Sequence, residues 1–199
     1  MPADAGHQKR ALRADLRERR RNLTSSERSG AAEGLTRNLI ALTESTGARS
    51  VSCYLSAKDE PDTRAFLAWA TEHGVRALLP ISRADGLLDW TVYTGEDEEI
   101  GLYGMPEPAA GELLPPSAIN DVDLILVPAA CVDLQGMRMG WGRGYFDKTL
   151  GSMEKCPPVY AVVFDTEVID ETPRERHDQP VNGAVTPARI LRFSSPSRS

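Results

Sequence analysis

The residues best equipped for chemistry lie close together, in Gly136-Met-Arg-Met-Gly-Trp-Gly-Arg-Gly-Tyr-Phe-Asp147. Gly136, Gly140, Gly142 and Gly144 let backbone N–H groups approach an anion, and Arg138 and Arg143 add donors for phosphate oxygens. The run follows the apolar segment Val122-Asp-Leu-Ile-Leu-Val127 and Pro128, so it reads as a loop at the carboxyl end of a buried strand, opening a helix at about Tyr145. An anion held there would also meet the partial positive charge of the helix start. The spacing is neither GxGxxG nor GxxxxGK[ST], which excludes the Rossmann fingerprint and the P-loop. Two readings stay open: a tight glycine turn entering a helix, or a cradle for phosphate. Asp147, about one turn into the helix, either holds Mg²⁺ beside phosphates and water or favours the helix start through the dipole.

Lys9, Arg13, Arg17 and Arg20 are spaced four, four and three apart, along one face of a helix expected over residues 7–22. They form a solvated face, or Lys9 and Arg13 reach the phosphates and Arg17 onward is surface. Glu60 follows a strand at Ser50–Leu55 and precedes a helix, so it is either a surface acid or points into the same cleft. A carboxylate there accepts hydrogen bonds from an amino-heterocycle. Asp62 reads as a helix cap. His177 and Asp178 are adjacent and on a strand would point opposite ways, so no catalytic dyad is built from them. No Ser/His/Asp or Cys/His signature is present.

The elements that must position these groups alternate. Thr24-Ser-Ser-Glu27 is a capping box that opens a second helix to about Leu42. A strand follows at 50–55, then a helix from Asp62 or Thr63 to His73, and a strand at 75–79 closed by Pro80. Residues 86–93 read as a strand, 94–122 as a long connection, and 159–164 and 188–193 as the last strands. The pattern predicts an α/β fold with a mainly parallel central sheet flanked by helices in three layers, preceded by N-terminal helices. Residues 1–193 are expected to form one domain and 194–199 a disordered tail.

The chain of 199 residues is 41% hydrophobic with net charge −6, and contains no apolar run of about 18 residues, which excludes a membrane-spanning helix. The polar N-terminus lacks the apolar core of a secretory signal. Three cysteines (Cys53, Cys131, Cys156) with no CxxC read as reduced thiols in the cytoplasm. Residues 1–23 carry seven Lys/Arg, whereas 84–137 carry eleven acids and no Lys or Arg. A basic arm and an acidic middle either attract each other or keep the arm for an anionic ligand.

Taken together these segments resemble the 5-formyltetrahydrofolate cyclo-ligase family. Gly136 to Asp147 is similar to its G-x-R-L-G-x-G-x-G-Y-Y-D signature, and Lys9-Arg-Ala-Leu-Arg13 to its K-x-x-L-R start. Tyr54-Leu-Ser-x-x-x-Glu60, Tyr103-Gly-x-Pro-Glu-Pro108 and Arg176-His-Asp178 follow in the family's order, and the likeness spans about residues 9–190. The resemblance implies Mg-ATP-dependent conversion of 5-formyltetrahydrofolate to 5,10-methenyltetrahydrofolate, through phosphorylation of the formyl oxygen and closure by N10. It implies that Lys9, Arg10, Arg13 and the loop Arg138, Met139, Gly140, Trp141, Gly142, Arg143, Gly144, Tyr145 and Phe146 bind ATP, with Arg143 and Tyr145 catalytic. Asp147 and Asp178 would hold Mg²⁺, and Leu55, Glu60, Trp141 and Tyr145 would contact the folate. The expected protein is a cytoplasmic monomer with small-molecule partners, without nucleic acid or membrane. The chain departs from the family pattern at Pro61, Val132, Met139, Phe146 and Lys148. A non-catalytic or altered-substrate paralogue that binds nucleotide or folate is the alternative, and an RNA-associated module using the basic first helix is the third reading.

Overall fold

Local chemistry starts the second helix. The computed structural model describes residues 4–95 and 97–194, so the expected tail lies, beyond Ser194, outside the described residues. In α2 (Ser25–Thr46) the Thr24 hydroxyl accepts the Glu27 N–H at 3.2 Å, and Glu27 Oε2 accepts the Thr24 N–H at 2.8 Å. This reciprocal pair is the expected capping box. Helix α1 (Ala5–Arg21) precedes it, and α3 (Arg64–Glu72) begins after Asp62, whose carboxylate accepts the Arg64 N–H at 3.1 Å.

The strands are β1 (Ser50–Ser52), β2 (Arg76–Ser82), β3 (Leu88–Val92), β4 (Glu98–Ile100), β5 (Pro106–Pro108), β6 (Leu124–Pro128), β7 (Cys131–Asp133), β8 (Arg138–Met139), β9 (Val159–Val162), β10 (Val168–Ile169), β11 (Gly183–Val185) and β12 (Ile190–Arg192). A fourth helix, α4, spans Tyr145–Gly151. The main sheet has seven strands in the order β12-β11-β9-β6-β1-β2-β3. Its inner pairs are parallel, and β12 and β3 close the two edges antiparallel.

Strand β6 explains the apolar run of the sequence. Leu124 and Leu126 join the cluster of Leu35, Leu39, Phe66 and Leu67 from α2 and α3. Ile125 and Val127 join Trp90, Ile119 and Leu150 on the opposite face. Alternate side chains point to opposite faces, and both faces are covered, so every position is apolar. This is the expected three-layer α/β arrangement. Among the described residues no helix is long and apolar enough to cross a membrane.

Several expectations are corrected. Strand β2 runs through Pro80 to Ser82 instead of stopping before it. Pro80 pairs with Trp90, whose own N–H and carbonyl turn away to Leu114 at 2.9 and 2.7 Å, so the missing proline N–H leaves no partner unsatisfied. The connection 94–122 contains the β4–β5 hairpin. The glycine-rich stretch contains β8, which joins β7 and β10 in a second sheet ordered β10-β7-β8. Helix α4 has seven residues and begins at Tyr145, as expected, with no side-chain cap.

Cys53 and Cys131 are buried and Cys156 is exposed; none is in a disulfide. Burial pushes the thiols of Cys53 and Cys131 each up to about 12. At pH 8 both are protonated and inert. We therefore predict that a thiol-disulfide exchange reagent titrates one cysteine in native protein and all three after denaturation; rapid reaction of three native thiols would contradict the packing.

Candidate active site

Two buried carboxylates organise the loops that shape the site. Asp133, at the end of β7, accepts N–H bonds from Gln135 at 2.9 Å and Met137 at 3.0 Å, which folds the turn into β8. Its other oxygen accepts the Thr172 N–H and hydroxyl and the Arg174 guanidinium, each at 3.1 Å. Burial works against the charge, but these donors hold the carboxyl below its ordinary value. Glu167 forms the second anchor. It pairs with buried Arg20 at 2.6 and 2.8 Å, and Arg20 also donates to the Ala129 carbonyl at 2.9 Å.

These anchors frame a cavity of about 770 Å³ at the carboxyl ends of β1, β2 and β6. Its walls are Tyr54 to Glu60 after β1, Pro80 and Ser82 of β2, Tyr103 to Glu107, Pro128, the Arg138–Asp147 stretch, and Arg17, Arg20 and Arg21 of α1. Volume and position suit a small-molecule site in an α/β sheet.

Glu60 is half-buried and accepts the Ala57 N–H at 2.8 Å; burial raises its carboxyl above the ordinary value, opposed by that bond and by Arg20. Leu55 is buried in the wall. Trp141 lies under two guanidinium groups, Arg20 at 4.8 Å and Arg17 at 5.1 Å from its ring centre. Arg143 is exposed and stacks on Tyr103 at 3.8 Å, with no ion pair among the described residues. Tyr145 donates its hydroxyl to the Arg83 carbonyl at 2.8 Å; burial, then Tyr103, push the phenol upward. Gly142 has a left-handed φ of 101°, and a Cβ there would press on the Arg13 guanidinium.

The structure thus brings Leu55, Glu60, Arg138, Gly140, Trp141, Gly142, Arg143, Gly144, Tyr145, Phe146 and Asp147 to one cavity. Asp147 is paired with Arg138 at 2.9 Å. Arg13 touches the rim by donating to the Gly140 carbonyl at 2.8 Å. Lys9 and Asp178, expected to bind different groups, meet each other instead: Lys9 Nζ lies 2.7 Å from Asp178 and 2.6 Å from Glu175. Arg10 is exposed outside the cavity wall, and the Met139 side chain joins Leu16, Ala130 and Cys131 in the core. Arg20 is not surface, as the helical spacing suggested, because Glu167 draws it inside. The basic arm pairs with acids at 167–178, not with the acidic middle. His177 and Asp178 do not lie on a strand; they sit in a turn that keeps both near Glu175.

Sequence reasoning gave no role to Arg20, Tyr54, Tyr103, Glu107, Glu167 or Glu175. Tyr103 and Glu107 stood in the Tyr-Gly-x-Pro-Glu-Pro motif, the only local signal for either. The buried Tyr54 hydroxyl, Arg138 Nε and Trp141 Nε1 have no hydrogen-bond partner among the described residues, and all three residues line the cavity.

This fold, with cations and carboxylates converging on one cavity, defines an α/β enzyme with a small-molecule site. The model of the 5-formyltetrahydrofolate cyclo-ligase family matches residues 5–187. The chain belongs to that family, whose members are ligases. It is 37% identical to 5-formyltetrahydrofolate cyclo-ligase of Mycolicibacterium smegmatis over 91% of this chain and 94% of that protein. It is 26% identical to the Escherichia coli K12 cyclo-ligase over 88% of this chain and 98% of that protein. The solved Aquifex aeolicus 5,10-methenyltetrahydrofolate synthetase superposes with TM-score 0.79 at 29% identity, covering 96% and 95% of the two chains.

The buried Arg20–Glu167 pair yields a stability prediction. Glu167→Ala leaves a desolvated guanidinium without its counter-charge, which costs about 3–5 kcal/mol. Denaturant unfolding of the variant should show that loss; a change below about 1 kcal/mol, the range of a surface pair, would rule out the anchoring role.

Proposed function

We propose that this chain catalyses the ATP- and Mg²⁺-dependent conversion of 5-formyltetrahydrofolate to 5,10-methenyltetrahydrofolate, releasing ADP and phosphate. The observation that carries the reading is that one cavity is lined both by Arg143, which has no carboxylate partner among the described residues, and by Glu60, Leu55 and Trp141. Family membership supports the same reaction. Against an RNA-binding first helix stands the burial of Lys9 and Arg20, whose charges are already matched.

The donor chemistry fits the implied groups. Asp147 and Asp178 are hard oxygen ligands suited to Mg²⁺, and each is held now by a cation, Arg138 or Lys9, that a polyphosphate can draw away. When bound, Mg-ATP supplies the phosphoryl group, and its metal neutralises charge on the phosphate oxygens. Lys9, Arg10 and Arg13, with the backbone from Arg138 to Phe146, bind the nucleotide. Glu60 accepts hydrogen bonds from the pterin, while Leu55, Trp141 and Tyr145 border it. The formyl oxygen takes the phosphoryl group, Arg143 and Tyr145 stabilise the charge that develops, and N10 then closes the ring as phosphate leaves. The same reading assigns the enzyme to a reducing, cytoplasmic setting, supported by three unpaired thiols.

The test is methenyl-folate absorbance with 5-formyltetrahydrofolate and Mg-ATP; folded protein that gives a flat trace would reject the reading. Arg143→Ala should lower kcat at least about 100-fold with the melting temperature kept, because one charge-stabilising donor is typically worth that much. Asp147→Asn should raise the Mg²⁺ concentration needed for half-maximal rate; an unchanged metal titration removes Asp147 from the metal site.

A further inference from the structure

Among the described residues Glu107, on β5, is the buried acid with the fewest hydrogen-bond and ionic partners. Among the described residues the buried acids are Glu107, 6% exposed, Asp133 and Glu167. Asp133 accepts four hydrogen bonds from backbone and hydroxyl donors and pairs with Arg174. Glu167 pairs with Arg20 and accepts the Phe164 N–H at 2.8 Å. Glu107 has no cationic partner and accepts one bond, from the Ser82 N–H to Oε1 at 2.8 Å. A buried carboxylate left in that state is strongly disfavoured unless something else meets it.

The surroundings show where that partner enters. Gly101 packs so closely that a Cβ there would collide with the Glu107 carboxylate. Glu107 also forms the cavity wall with Tyr103, Arg143 and Tyr145, and its negative charge contributes to the raised phenol of Tyr145. Arg138, Asp147 and Glu60 are further charged groups on the same cavity wall. Glu99 stands opposite it across the β4–β5 hairpin, and Arg83, next to Ser82, is engaged by Asp85 and Asp89. The carboxylate therefore lines the same cavity as Arg143 and Tyr145, the groups assigned to the reacting centre, and is close enough to Tyr145 to act on its phenol.

We infer that Glu107 is the base of ring closure: it accepts the proton that N10 sheds on attacking the activated formyl carbon. This rests on the reaction proposed above. In that step the N10 lone pair forms the new C–N bond, and the bond from carbon to the phosphorylated oxygen breaks. Phosphate leaves with that electron pair, and the N10 proton passes to a Glu107 oxygen. Without an acceptor the adduct would keep its proton on N10, and expulsion of phosphate would place two positive centres on adjacent parts of the product.

Glu107→Gln isolates the step, because the amide oxygen still accepts the Ser82 N–H while the base is gone. Rapid-quench measurements on wild type and variant would follow ADP and methenyl absorbance together, over the ATP-free background. The variant should release about one equivalent of ADP at the wild-type rate while ring closure slows about 100-fold, the usual worth of a positioned base. Absorbance within about threefold of wild type, or ADP and absorbance falling equally, would overturn the assignment. Glu107→Asp, which keeps a carboxylate, should recover part of the ring-closure rate that Glu107→Gln loses; equal rates in the two variants overturn the assignment as well. Wild-type protein that forms no ADP defeats the underlying reaction instead, so the two failures are distinguishable.

Discussion

Helix α1 is held by charge more than by apolar burial. Leu16 is its fully buried apolar residue, with Leu12 half-buried beside it. Its other attachments are cationic: Lys9 to Glu175 and Asp178, Arg13 to the Gly140 carbonyl, and Arg20 to Glu167 and the Ala129 carbonyl. Gly140 lies on the cavity wall, Ala129 and Glu167 lie just before β7 and β10 of the second sheet, and Glu175 and Asp178 follow that sheet. Desolvating a guanidinium is costly and is offset only by near-ideal pairing, so a helix docked this way has one acceptable position along its axis. The geometry of the cavity rim follows from that position.

The cavity itself separates its polar groups. Glu60 and the Tyr54 hydroxyl lie where the chain leaves β1, and Glu107, Arg143 and Tyr145 gather where the hairpin and α4 meet. Trp141 lies between α1 and the glycine run, its ring covered by Arg17 and Arg20. Tyr103 holds the rim with a left-handed backbone (φ 61°) that a tyrosine adopts only when its surroundings impose it, here the stack with Arg143 and the contact with Tyr145.

What was legible in the sequence was what is locally encoded. The capping box of α2, the helix after Asp62 and the doubly covered strand β6 each carry their signal within a few residues. Strands β7, β8, β10 and β11 have two or three residues each, shorter than any period that could announce them, and exist through pairing. Pro80 suggested a stop because the rule that proline ends strands takes no account of a neighbour whose hydrogen bonds go elsewhere. In the site, the glycine run and Glu60 pointed to one cleft because both follow strands of the same parallel sheet. The burial of the Met139 side chain was not legible, because a place in the motif says nothing about the direction of a side chain. The partners of Lys9 and Arg20 were invisible, since acids 169 and 147 positions away leave no trace in local spacing.

Those long separations bear on how the molecule is made. Helix α1 leaves a ribosome with cations whose counter-charges, 147 to 169 positions further along, are synthesised much later. Until Glu167 and Asp178 emerge, α1 has little to dock against and remains a solvated basic segment, and the cavity rim cannot assemble. Contacts that span nearly the whole chain also slow folding, because the loop they close must be ordered first. Completion of the cavity rim is thus a late event in the life of the nascent chain.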